Sequence, residues 1–69
     1  MLRQERIQRL QEAVNRLSAR DRTLFYRKYY YLQSTARIAA ELGTTERAVE
    51  GKLYRIRKRL QTLLGGDAL

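Results

Sequence analysis

The sequence predicts an all-α domain of four helices that ends in a helix-turn-helix. Its 69 residues have room for one small domain, and none of them is proline. Apolar residues recur at steps of three and four along most of the chain, which is the period of a helix. Serine, glycine and short polar stretches interrupt that pattern. Helices are therefore expected at about 3–17, 19–31, 35–42 and 46–64.

The first predicted helix has one apolar and one charged face. The apolar face carries Ile7, Leu10, Val14 and Leu17. Arginine, glutamate and glutamine fill most of the other positions, so this helix should pack on the domain along one side only.

The second predicted helix follows a serine that can cap it. Ser18 is the expected N-cap, and Asp21 lies three residues later, where an acidic side chain favours a helix N-terminus. Of the tyrosines at 29–31, one should be in the core and the others over the helix end or against a backbone phosphate. The side chains expected to be buried are Leu24, Phe25 and Tyr29, with Leu32 closing the helix end.

The third and fourth predicted helices form a helix-turn-helix over residues 35–54. Ser34 should cap the third helix, and Gly43 follows it where the turn needs a left-handed residue. Ala39 is small enough to let the two helices cross closely, and Val49 should fill their junction. The other core residues expected here are Ile38, Leu42 and Leu53.

The fourth predicted helix has an apolar stripe and a polar outer face, and Thr45 should cap it. The stripe consists of Val49, Leu53, Ile56, Leu60 and Leu63. The opposite side carries Arg47, Gly51, Tyr54 and Lys58, flanked by Glu50 and Arg55. Residues 46–59 include six basic and two acidic side chains. Their net charge of +4 is half of the formal net charge of +8 of the whole chain. Residues 65–69 are expected to form a flexible tail.

Such a face suits the major groove of DNA, which calls for long donors, an acceptor and a place of close approach. Arg47 and Arg55 can donate to guanine edges, and Glu50 can accept from a cytosine amino group. Tyr54 can pack on a thymine methyl or reach a phosphate, and Gly51 lets the helix backbone approach the bases.

Other basic residues suit the DNA backbone. Lys52, Arg57 and Arg59 lie nearer the apolar stripe, where they can contact phosphates or form internal pairs. The free N–H groups near Ser34 and Thr35, together with Arg37, predict a second anion-binding point at the start of the third helix.

Composition excludes several classes of function. Cysteine and histidine are absent, which rules out disulfides and removes the usual zinc ligands and thiolate or histidine-activated nucleophiles. The carboxylates form no inward pair at catalytic spacing, so no catalytic residue, metal or cofactor is expected. The strong positive charge favours a nucleic acid over a membrane surface as the partner. Without an apolar stretch of about 20 residues, we expect a soluble, cytoplasmic domain.

Residues 17–64 resemble region 4, the C-terminal DNA-binding domain of bacterial sigma-70-type RNA polymerase sigma factors, and the extracytoplasmic-function group in particular. The fold implied is the region 4 bundle, which is winged-helix-like in its helix-turn-helix. The matching positions are Lys28-Tyr29-Tyr30, Ser34, Ile38-Ala39, Leu42-Gly43, Thr45, Val49, Lys52-Leu53, Arg55, Arg57-Lys58 and Leu60.

The resemblance implies a monomer that binds the −35 element of promoter DNA through its last helix and docks on the flap of the polymerase β subunit. The positions implied nearest the bases are Glu50, Gly51, Tyr54 and Arg55. Those implied beside them are Thr45, Arg47, Lys52 and Lys58. Those implied towards the DNA backbone are Ser34, Thr35 and Arg37.

The sequence departs from the family pattern at three positions. Arg37 stands where the family usually has glutamate, Glu50 replaces a usual basic residue, and Gly51 replaces a usual serine. Region 2, which melts the −10 element, is absent, so the chain is expected to be an excised domain of a longer factor or the product of a short gene.

Two alternatives stay open at this point. The same helix-turn-helix occurs in output domains of two-component or quorum-type regulators, which would dimerise through the last helix. A sigma-like module could instead be bound by an anti-sigma factor, which Glu50 and the missing region 2 favour. A membrane-surface role is disfavoured because the apolar stripe is needed for the core.

Overall fold

The computed structural model describes the backbone of residues 2–65 and the side chains of residues 4–65. Within this part the chain is helical and contains no strand, so its helix-turn-helix lacks a β wing. The four helices are α1 (Leu2–Asn15), α2 (Ala19–Phe25), α3 (Thr35–Leu42) and α4 (Glu46–Leu63). A π-helical segment, Tyr26–Tyr30, directly continues α2. The all-α prediction is therefore confirmed. Apart from Gly65, the predicted tail lies outside the described residues.

Helix α4 is the centre of the domain, because α1, α2 and α3 all pack against it. Its apolar stripe is buried as predicted, and only Leu63 is partly exposed. The helix ends one residue earlier than expected, and Leu64 just beyond it is also buried. Helices α1, α2 and α3 bury their apolar sides against α4, so the opposite side of α4 stays open.

Only the C-terminal half of α1 packs well on the core. Val14 and Leu17 are buried as expected, Leu10 is partly buried, and Ile7 is 54% exposed, so the predicted burial of Ile7 is wrong. The guanidinium of Arg9 donates to the carbonyl oxygen of Leu64 at 3.1 Å. Because Arg9 already lies at the end of α4, the turns of α1 before it have little of α4 left to contact.

The second predicted helix is interrupted by the π segment. The amide of Tyr31 donates to the carbonyl of Tyr26 at 2.8 Å, a bond across five residues instead of four. The wider turn rotates the following side chains away from the face that an α-helix would bury. Tyr29 is 40% exposed, so its predicted burial is wrong, and Leu32, at 80% exposure, does not close the helix end. The tyrosine that packs on the core is Tyr26.

A strained residue lies two positions after the π segment. Leu32 has a φ of 56°, a left-handed conformation that side chains with a Cβ adopt at a cost. Its side chain contributes little burial in return, since it is 80% exposed.

We therefore expect Leu32→Gly to raise the free energy of unfolding by about 0.5–1 kcal/mol, measured by urea denaturation. The matched control is Tyr31→Gly, because Tyr31 is also exposed but has an ordinary φ of −88°. The control should not gain stability. An equal gain from both variants would contradict backbone strain at residue 32.

The helix caps are as predicted. Ser18 accepts from the amide of Asp21 at 3.2 Å, Ser34 from that of Arg37 at 3.1 Å, and Thr45 from that of Ala48 at 3.1 Å. Gly43 adopts a left-handed φ of 69° between α3 and α4. The turn of the helix-turn-helix is thus held by local bonds on both sides.

The junction of α3 and α4 is buried and closely packed. Ile38, Ala39, Val49 and Leu53 are at most 3% exposed. Leu42 is 53% exposed, so its predicted place in the core is wrong. Leu42 lies on the buried side of α3 by helical period, but the two helices cross near Ile38 and Ala39. The last turn of α3 therefore extends beyond the area that α4 covers.

Candidate nucleic-acid interface

The side of α4 opposite the apolar stripe is open to solvent along its length. We define the outer face of α4 as Arg47, Glu50, Gly51, Tyr54, Arg55 and Lys58, all of which are exposed. No other element covers them, because α1, α2 and α3 occupy the stripe side of the helix. The outer face therefore presents three cations, one acid and one aromatic ring to a partner.

Two residues of the outer face contact each other. The Nζ atom of Lys58 lies 5.7 Å from the centroid of the Tyr54 ring, one helical turn away. Such a cation–π contact at an exposed site is weak, about 0.5–1 kcal/mol. It limits the positions that both side chains sample, while Tyr54 remains 54% exposed. The ring thus keeps a surface available for apolar contact.

Glu50 is available as a hydrogen-bond acceptor. In the described part of the chain its carboxylate has neither a hydrogen-bond partner nor an ion-pair partner, although Arg47 and Tyr54 are near in sequence. An acid left uncompensated on so basic a helix suits a donor supplied by a partner, such as a cytosine amino group.

Gly51 has no structural reason to be glycine. A Cβ atom built at this position meets nothing within 4 Å, and the residue lies inside a regular helix. Glycine in a helix interior costs about 0.5–1 kcal/mol relative to alanine. Nothing inside the fold therefore requires glycine here, and the absent side chain leaves this part of the helix surface open to close approach from outside.

The N-terminus of α3 is more occupied than the sequence suggests. The Ser34 hydroxyl is used in capping, and the Thr35 hydroxyl accepts from Lys28 Nζ at 3.1 Å. Arg37 Nε donates to Glu41 Oε2 at 3.3 Å, and Glu41 also pairs with Arg27. Arg37 nevertheless keeps 64% of its side chain exposed. The start of α3 is therefore positively charged, because two arginines and a lysine surround the single carboxylate of Glu41.

Sequence reasoning missed Arg27 and Lys28 at this point. Both precede α3 and reach it only because the π segment lies beside α3. Nothing in the local spacing signals these contacts, because they depend on how the chain turns between residues 30 and 35.

A third contact ties the π segment to α4. Arg57 Nη1 donates to the Tyr29 hydroxyl at 2.7 Å, across 28 positions of sequence. Arg57 was expected to contact a phosphate or form an internal pair, and it forms the internal pair. The role of Tyr29 had no sequence signal.

The described part of the chain also has a groove away from the outer face. Its volume is about 450 Å³, and it lies between α1 and the end of α4. Its lining residues are Arg9, Glu12, Ala13, Asn15, Arg16, Leu63 and Leu64. Residues 2–65 contain no cluster of side chains able to hold a metal ion and no helix long and apolar enough to cross a bilayer.

Comparison with known proteins gives one match. The family model described as Sigma-70, region 4 matches residues 7–60, which is well over half of the chain. No match was found among curated proteins or among solved structures. The matched range runs from the first half of α1 to Leu60 of α4 and includes the whole outer face.

Proposed function

The chain belongs to the sigma-70 region 4 family, whose domains bind DNA in transcription initiation, and from this premise we propose that α4 recognises the −35 element of a bacterial promoter. The observation that supports the proposal is the open outer face of α4. Arg47, Tyr54 and Arg55 are exposed on one helix that the rest of the domain holds from behind.

The dimensions of the helix support major-groove binding. An α-helix with its side chains is about 10–12 Å across, and the major groove is about 12 Å wide. Arg47 and Arg55 are the donors for guanine, Glu50 is the acceptor for a cytosine amino group, and Tyr54 packs on a thymine methyl. Thr45, Lys52 and Lys58 lie beside this set.

In this proposal the start of α3 contacts the sugar-phosphate backbone of the DNA. Arg37 is the exposed cation there, and the residues around it are Ser34 and Thr35, which bond internally. These contacts set the position of the domain on the duplex and carry no sequence information.

The partners proposed beyond DNA follow from the family. Region 4 domains act with RNA polymerase, and we place the contact of this domain on the flap of the β subunit. We propose a monomer that acts in the bacterial cytoplasm, with an anti-sigma factor as a regulator of the same surface.

The proposal is tested by selecting bound duplexes from a random pool and sequencing them. One continuous motif is the expected result, with affinity that falls steeply with salt, at a log–log slope of about −4 to −5 for four to six neutralised phosphates. Two motifs in inverted repeat would instead indicate a dimeric regulator. If the affinity for random duplexes were within a few-fold of the affinity for every selected duplex, the domain would not recognise a sequence and that part of the proposal would fail.

Gly51 provides a direct test of close approach. We expect Gly51→Ala to raise the free energy of unfolding by about 0.5–1 kcal/mol, because alanine is the better helix former. The same variant should bind the selected duplex about 3–10-fold more weakly, because the added methyl meets the bases. Urea denaturation and fluorescence anisotropy measure the two effects.

The control for Gly51→Ala is Gln11→Ala, at an exposed position of α1 away from the outer face of α4. It should change neither quantity by much. A stabilised Gly51→Ala variant with unchanged DNA affinity would contradict close approach at residue 51.

A further inference from the structure

The two flanks of α4, between its outer face and its apolar stripe, carry different charges. Residues seven apart on a helix lie on the same side. We define the basic flank as Lys52 and Arg59, and the mixed flank as Glu46, Arg57 and Gln61. The basic flank has two cations and no acid. On the mixed flank Arg57 is the single cation, beside the carboxylate of Glu46 and next to that of Glu50 on the outer face.

A helix that fills the major groove brings each flank next to one sugar-phosphate backbone, because helix and groove have nearly the same width. The basic flank can contact its backbone through either of its two cations. On the other side, Glu46 and the neighbouring Glu50 repel the DNA backbone unless Arg57 compensates. Attraction on that side therefore depends on one side chain.

Arg57 is also the cation of α4 that the rest of the fold holds in place. Its Nη1 atom donates to the Tyr29 hydroxyl at 2.7 Å. Tyr29 is itself fixed by ring contact with Phe25, with centroids 5.0 Å apart. Both Tyr29 and Arg57 remain exposed, so this bond fixes the guanidinium without burying it.

The hydrogen bond leaves donors free. The Tyr29 oxygen accepts from Arg57, so its own O–H proton can be donated to a third group. Arg57 uses one of its five N–H donors in this bond, so its other N–H groups can donate to the same third group. A phosphate oxygen is the acceptor that matches two adjacent donors, one of them charged.

We propose that Tyr29 and Arg57 together bind one DNA backbone phosphate on the mixed flank of α4, with Tyr29 positioning Arg57. The inference rests on the proposed binding of α4 in the major groove. It also gives the π segment a role, because the π turn directs Tyr29 outward instead of into the core, where helical period would place it.

The experiment is a double-mutant cycle on the full chain, with the selected duplex and a random-sequence duplex as probes. Arg57→Ala should weaken binding to both duplexes alike, by about 5–10-fold, and should reduce the magnitude of the salt slope by about one. Tyr29→Phe keeps the charge, so it should weaken binding by about 3–10-fold with the slope unchanged.

The coupling decides whether the two residues act as one unit. In the Arg57→Ala background, Tyr29→Phe should have much less effect than it has alone. The matched control is Tyr30→Phe, which removes a neighbouring exposed hydroxyl that has no hydrogen-bond partner in the described part of the chain. This control should bind both duplexes like the unaltered protein. Circular dichroism and urea denaturation show that each variant is folded at the temperature of the assay.

Two outcomes would overturn the inference. Arg57→Ala could bind both duplexes as tightly as the unaltered protein, or Tyr29→Phe could weaken binding equally with and without Arg57. Neither outcome touches the proposed function, which fails separately if the unaltered protein selects no motif.

Discussion

Truncation of Ile38 to alanine is expected to lower the free energy of unfolding by about 2–5 kcal/mol. The side chain is completely buried between α3 and α4, so the loss combines its transfer free energy with the cost of a cavity. A domain of this size has a total stability of roughly 3–10 kcal/mol. The variant should therefore be close to unfolding at 25 °C. Urea denaturation followed by circular dichroism measures the change.

Leu42→Ala is the matched control for this experiment. Both residues lie on the same side of α3 by helical period, but Leu42 is 53% exposed and Ile38 is fully buried. The control should lose less than about 1 kcal/mol, because little apolar surface is removed from contact. Equal losses from the two variants would contradict the crossing of α3 and α4 near Ile38 and would restore Leu42 to the core.

Arg55→Ala is expected to weaken binding to the selected duplex by about 1–3 kcal/mol and to relax the preference at one base pair. Arg55 is exposed and has no hydrogen-bond or ion-pair partner among residues 4–65, so the change leaves the fold intact. Anisotropy titrations with the selected duplex and its single-base-pair variants measure both effects.

Arg6→Ala is the control for Arg55→Ala, since it removes the same charge from an exposed position on α1. It should produce a small loss that is equal for all duplexes. If Arg55→Ala also weakened every duplex equally, Arg55 would be a phosphate contact and another side chain would have to recognise guanine.

Local features of the fold were predictable from the sequence. The caps at Ser18, Ser34 and Thr45 and the left-handed turn at Gly43 depend on residues within about three positions, so their signals are complete in short stretches. The apolar stripe of α4 follows from helical period for the same reason. The period also implied the openness of the outer face, because a buried stripe leaves the opposite side uncovered.

Features that depend on how helices meet were not predictable. Ile7 and Leu42 fit the period of their helices, but they lie beyond the area that α4 covers. The π turn at Tyr26–Tyr30 is made by backbone hydrogen bonds that any of these residues could form, so no side chain in the sequence indicates it. The pairing of Tyr29 with Arg57 then follows from that turn and joins distant parts of the chain.

The division of α4 into an inner and an outer side has an evolutionary consequence. No residue whose side chain stabilises the core also belongs to the exposed set, so the two groups can diverge independently. Under the proposed function, a lineage can acquire a new DNA preference through substitutions at positions such as 47, 50 and 54 without passing through unfolded intermediates. Paralogous regulators with separate gene sets can arise in this way from a single ancestral scaffold.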